Sequence, residues 1–122
     1  MGKFTRRDRL LTAADFDRVF GNCRRSADEL FTVLYRSGGL GYPRLGLAIA
    51  KKRIRRAVDR NRLKRLIRES FRVARPELPR ADIIVMAREK AARADHAVLI
   101  ASLERHWQRL SKRADSAPED LH

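Results

Sequence analysis

Residues 44–74 read RLGLAIAKKRIRRAVDRNRLKRLIRESFRVA, and two periodicities meet inside them. From Arg44 to Lys52 the residues alternate, with Leu45, Leu47 and Ile49 on one side and Gly46, Ala48 and Ala50 on the other. A period of two is that of a strand. The large residues suit a core face, and the small ones suit a face on which a helix or a ligand packs closely. From Ala57 to Ala74 the period becomes helical. Leu63, Leu66, Ile67, Ser70 and Ala74 form one face with Phe71 at its margin, while Asn61, Lys64, Arg65, Arg68 and Arg72 gather opposite, within an arc of about 100°.

Working outward, Pro76 and Pro79 stop this helix, and Ala81–Arg88 (ADIIVMAR) reads as a buried strand. Asp95 is placed to cap a last helix with the stripe Ala97, Ile100, Leu103, Trp107 and Leu110. Upstream, Ser37–Pro43 (SGGLGYP) is turn chemistry, and Leu30–Arg36 (LFTVLYR) is a strand rich in β-branched and aromatic residues. A short helix precedes them. Thr12 can cap it with Asp15 three residues on, Leu11 can staple against Phe16, Gly21 ends it, and Phe16, Val19 and Phe20 form its apolar face. The order helix, two strands, helix, strand, helix predicts a single-domain, two-layer α+β sandwich whose one sheet is covered by helices. At 122 residues and 43% hydrophobic, the chain can build one modest core, expected over 1–113, with 114–122 a polar tail that frays.

Charge is distributed very unevenly. Lys51–Arg72 holds eleven Lys or Arg against Asp59 and Glu69, which is +9 of the chain's +14. Folding does not need such density, because like charges repel across the compact state. Solvated helix faces usually mix signs in i,i+4 pairs, whereas this face carries one sign. Three of its five residues are arginines, whose forked guanidinium can hold phosphate bidentately. Membrane-surface helices carry bulky apolar residues for insertion, but this apolar stripe is committed to its own sheet. The natural partner is nucleic acid. Asn61 adds no charge, and either reads a base edge or sugar or caps locally.

Other classes find less support. No apolar run approaches the roughly 20 residues of a membrane span, and the start, MGKFTRRDRL, lacks the apolar core of a secretion signal. The lone Cys23 has no disulfide partner and reads as a reduced thiol, so a cytoplasmic location is expected. The acids are scattered, without the paired carboxylates of a metal-dependent nuclease, and His96 and His106 read as surface residues. No side-chain metal site and no protein partner are expected.

In order, these segments resemble the bacterial ribonuclease P protein subunit. The likeness is closest over 44–72, with its strand, Lys-Lys turn and Arg60-Asn61-Arg62 helix, and extends to 6–20, 31–35 and 81–88. It covers about 1–110. The resemblance implies a four-stranded sandwich similar to ribosomal-protein domains with a left-handed βαβ crossover, the fourth strand being sought around Lys51–Arg55. It also implies that a catalytic RNA subunit performs the chemistry, with Mg²⁺ held mainly by RNA phosphates, removing the 5′ leader of precursor tRNA. The protein would bind both RNAs. Contacts to the RNA subunit would fall on Lys51, Lys52, Arg53, Arg60, Asn61, Arg62, Lys64, Arg65 and Arg68. A cleft for the single-stranded leader would fall on Phe16, Phe20 and Tyr35, floored by Ala48 and Ala50. Phe16 and Phe20 otherwise read as core, and stacking on bases would instead need them exposed. Residues 88–97 are more charged than a connection needs and receive no role.

Overall fold

The computed structural model describes residues 12–37 and 41–115. The element order is α1 (Ala13–Gly21), β1 (Arg24–Ala27), β2 (Phe31–Ser37), β3 (Arg44–Ala48), α2 (Ala57–Ala74), β4 (Ala81–Ala87) and α3 (His96–Asp115). Short 3-10 turns at Arg75–Glu77 and Glu89–Arg93 follow α2 and β4. The strands form one mixed sheet in the order β1-β2-β4-β3. β2 runs antiparallel to both β1 and β4, while β3 and β4 are parallel neighbours joined through α2, a βαβ unit. The α+β sandwich read from the sequence is the fold observed.

Register divides the sheet into two faces, because paired residues point the same way and the side-chain period is two. On one face lie Phe31, Val33 and Tyr35 of β2, Ile83 and Val85 of β4 and Leu45 of β3, all buried in the main core. The two long helices cover this face. From α2 come Leu63, Leu66, Ile67 and Phe71, and from α3 come Leu99, Leu103, Trp107 and Leu110. The helices are stitched together by an edge-on Phe71–Trp107 pair with ring centroids 6.1 Å apart. Trp107 Nε1 also donates to Ser70 Oγ at 2.8 Å, which satisfies the polar end of a buried indole. On the other face Ile84 and Val19 of α1 are fully buried and stand outside the main core, so α1 packs there.

Several expectations change. The fourth strand is Arg24–Ala27, not Lys51–Arg55, which forms a turn in which the Ala50 carbonyl accepts from the amides of Arg53 and Ile54. Ile54, 1% exposed, pins that basic turn to the core. The buried stripe of α3 includes Leu99, Ser102 and His106, while Ala97 is exposed. His106 is therefore an interior residue, whereas His96 is at the surface as expected. Thr12 and Asp15 form the expected capping box, and Gly41 takes a positive φ of 88° in the turn before β3. The Leu11 staple, the basic arm and the tail beyond Asp115 lie outside the described residues.

Candidate nucleic-acid interface

Two adjoining surfaces carry the residues singled out from the sequence. The first is the outer side of α2 with the turn before it. Lys51, Lys52 and Arg53 are exposed on the turn, and Asn61 and Arg65 are exposed on the helix. Lys64 and Arg68 are half-buried beside them, and Asn61, Lys64, Arg65, Arg68, Glu69 and Arg72 line one shallow groove. Arg72 is paired with Glu69 one turn back. The side chains of the other three cations have no ion-pair or hydrogen-bond partner among the described residues.

Arg60 and Arg62 are engaged differently. Arg60 Nη1 donates to the carbonyls of Ile54 and Arg55, both at 2.8 Å, and closes the basic turn against the start of α2. Arg62 Nη2 donates to the Ala92 carbonyl at 3.3 Å and ties α2 to the 3-10 turn after β4. Both guanidiniums are thus engaged with backbone carbonyls. The segment given no role in the sequence is thereby placed. Glu89, Lys90 and Arg93 face Lys52, Arg53, Arg55 and Arg56 across a groove at the N-terminus of α2. Buried Ala91 holds the turn in position.

The second surface is the α1 side of the sheet. Phe16 is half-buried and Phe20 is 49% exposed, with centroids 6.1 Å apart and planes tilted by 41°. Val19 between them is fully buried, so one residue anchors the helix and its neighbours present their rings outward. Phe20 stands over a groove floored by Thr32, Leu34 and Met86 and edged by Arg25, Arg53 and Arg88. Ala48 pairs in register with Met86 on this same face. Sequence reading missed Arg25, Thr32, Leu34, Met86 and Arg88. The alternation of β2 and β4 carried a signal for three of them, since Thr32 and Leu34 fall out of phase with Phe31 and Val33.

Two residues assigned to the cleft are not on this surface as expected. Tyr35 shares the phase of Phe31 and Val33, so its ring turns into the main core at 4% exposure and its hydroxyl accepts from Arg113 at 2.9 Å. Ala50 lies past the end of β3, in the turn, and does not extend the strand's floor.

A small basic α+β protein is thus defined, in which α2 carries a strongly cationic outer face and Arg53 of the turn before it edges a sheet-face groove lined by the outward ring of Phe20. A family model for ribonuclease P matches residues 4–111. The ribonuclease P protein component of Methylococcus capsulatus is 47% identical over 114 residues, covering 93% of this chain and 89% of that protein. That of Chromohalobacter salexigens is 50% identical over 110 residues, with 89% and 86% covered. Among solved structures, the ribonuclease P protein of Staphylococcus aureus superposes with a TM-score of 0.78 at 34% identity, covering 86% of this chain and 95% of that one. The Thermotoga maritima protein gives 0.74 at 34% identity, with 83% and 96% covered. The chain belongs to the ribonuclease P protein family.

Proposed function

We propose that this chain is the protein subunit of a ribonuclease P holoenzyme, binding the catalytic RNA with its α2 surface and the 5′ leader of precursor tRNA with its α1 surface. The observation that carries this reading is the adjacency of two surfaces of different chemistry. The α2 side offers unpaired Lys64, Arg65 and Arg68 beside exposed Lys51, Lys52 and Arg53, a pattern for the phosphates of a folded RNA. The α1 side offers Phe16 and Phe20 over a small, partly apolar floor with arginines at its rim, a pattern for a single strand whose bases stack while its backbone follows the cations. Stacking tolerates any base, which suits a subunit that must accept many leaders. Tyr35 and Ala50 drop out of the leader set, and Thr32, Leu34, Met86, Arg25 and Arg88 enter it.

In this reading magnesium held by RNA phosphates would supply the hydrolytic chemistry. The chain's own residues bind and orient: Arg60 holds the backbone of the basic turn, Arg62 ties α2 to the 3-10 turn after β4, and the open cations around them meet the RNA. A ribosomal protein or assembly factor with the same sandwich would share the basic helix, but has no need of two aromatic rings held out over a sheet groove.

The test is affinity for a bacterial ribonuclease P RNA as salt is raised. Six to ten phosphate contacts on duplex DNA would cost about 10³–10⁵ in affinity between roughly 50 and 200 mM, and fewer contacts proportionally less. A steep slope that becomes shallower in Arg65→Ala and Arg68→Ala supports the α2 assignment. A flat response would exclude it.

A further inference from the structure

Helix α1 has nine residues and little stability of its own, so its tilt on the sheet is set by tertiary contacts. Its apolar hold is fully buried Val19 with help from half-buried Phe16. Charged side chains add a polar hold from the strands beneath it. Arg44, the first residue of β3, donates from Nε and Nη2 to the two oxygens of its register partner Asp82, both at 2.9 Å. Its Nη1 donates to Asp15 Oδ2 at 3.2 Å, and its Nη2 lies 3.1 Å from Asp15 Oδ1. The same Asp15 carboxylate closes the capping box, accepting from Thr12 N at 2.8 Å and Thr12 Oγ1 at 2.9 Å, and it pairs with Arg18. At the other end of α1, Arg36 of β2 donates to the Arg18 carbonyl at 3.1 Å.

Asp15, Arg44 and Asp82 are 4%, 8% and 8% exposed. Desolvating three charged groups offsets most of what their pairing returns, and apolar side chains would stabilise such a site at least as well. What a bidentate guanidinium supplies, and an apolar contact does not, is direction. Asp15 immediately precedes Phe16, so fixing its carboxylate against two strands fixes where the aromatic pair points.

We infer that the Asp15–Arg44–Asp82 bridge is a positioning device that sets α1 so that Phe16 and Phe20 meet the bases of a single-stranded RNA leader. The inference rests on the leader-binding reading of this face. Buried Arg44 acts through Asp15 and the helix and does not touch the RNA itself.

The experiment uses the reconstituted holoenzyme and two tRNA precursors, one with a leader long enough to cross the sheet face and one with a single leader nucleotide. Asp15→Asn keeps an acceptor for the Thr12 amide and removes the charge facing Arg44. It is expected to lose about tenfold in affinity for the long-leader precursor, comparable to one stacked base, and none for the short one. In a Phe16→Ala/Phe20→Ala background the same substitution should cause no further loss, a result that general destabilisation would not produce. Arg44→Lys, which keeps the charge but loses the fork, should shift affinity in the same direction and decides the matter if Asp15→Asn does not fold. Unchanged long-leader affinity, an equal loss on both precursors, or a loss that persists without the aromatic pair would overturn the inference. If the unmodified holoenzyme fails to distinguish the two precursors, it is the leader-binding reading that falls.

Discussion

Replacing Phe20 by alanine separates a stacking surface from a misjudged piece of core. Truncating a fully buried Phe costs about 3–5 kcal/mol through lost transfer energy and the cavity left behind. Phe20 is 49% exposed and its main aromatic neighbour is Phe16, so about half that burial is at stake. The expected stability loss is about 1–2 kcal/mol, pair contact included. Phe31, fully buried at the start of the inner strand β2, is the internal reference, and Phe31→Ala should cost the full amount of about 3–5 kcal/mol. Leader binding should respond in the opposite order. A lost base–aromatic stack is worth about 1–3 kcal/mol, which is about 5- to 150-fold in dissociation constant. Thermal unfolding of both variants, alongside fluorescence titration of the reconstituted holoenzyme with a labelled long-leader precursor, reads both quantities. Phe20→Ala that melts as low as Phe31→Ala while binding the leader normally would make Phe20 a core residue and not a stacking surface.

Other consequences are open to direct measurement. Arg65→Ala and Arg68→Ala should leave the melting temperature nearly unchanged, since neither side chain holds the fold, and should each weaken binding of the RNA subunit with a smaller salt slope in filter binding. Burial alone would raise the carboxyls of Asp15 and Asp28. The Thr12 and Arg44 contacts around Asp15, and the Ser102 hydroxyl with the Leu30 and Phe31 amides around Asp28, instead bring both down to about 2. Each then contributes about 2 kcal/mol that is fully present above pH of about 4 and lost as the pH falls toward about 2, visible as acid unfolding in urea titrations. His106 shifts in the same downward direction, chiefly because burial disfavours its charged form. Its contribution is present above its ordinary value of 6.5 and erodes as pH falls below it, so His106→Gln should flatten the pH dependence of stability below 6.5. Arg60→Gln should loosen the turn at Ala50–Arg56, seen as faster amide exchange at Arg53 and Ile54, and should weaken RNA-subunit binding.

What could be read from the sequence follows the physics of each element. Helix α2 was legible to the residue because an amphipathic period ends at Ala74 against Pro76. β1 was not, since Arg24–Ala27 is four residues long with one buried side chain. It is an edge strand whose charges are of the kind that guard edges. It is held by its ladder to β2 and by Asp28, whose Oδ1 accepts from the Leu30 and Phe31 amides and turns the chain. The interior position of His106 was hidden because a stripe scored by apolarity passes over Ser102 and His106. They are buried because Ser26 Oγ meets His106 Nδ1 at 2.7 Å and Ser102 donates to Asp28 at 2.6 Å. Tyr35 shows the reverse case, in which the strand's own alternation placed the ring in the core and the family resemblance pointed outward. The Asp15–Arg44 contact joins residues 29 apart and leaves no local signature.

Whether this chain completes a ribonucleoprotein endonuclease is decided by mixing it with a bacterial ribonuclease P RNA and a 5′-extended tRNA precursor at low millimolar Mg²⁺. Release of an intact leader only when both components are present, at protein concentrations that saturate the RNA, is the expected result. An RNA of demonstrated activity that the chain binds but does not stimulate would contradict it and leave a general RNA-binding module.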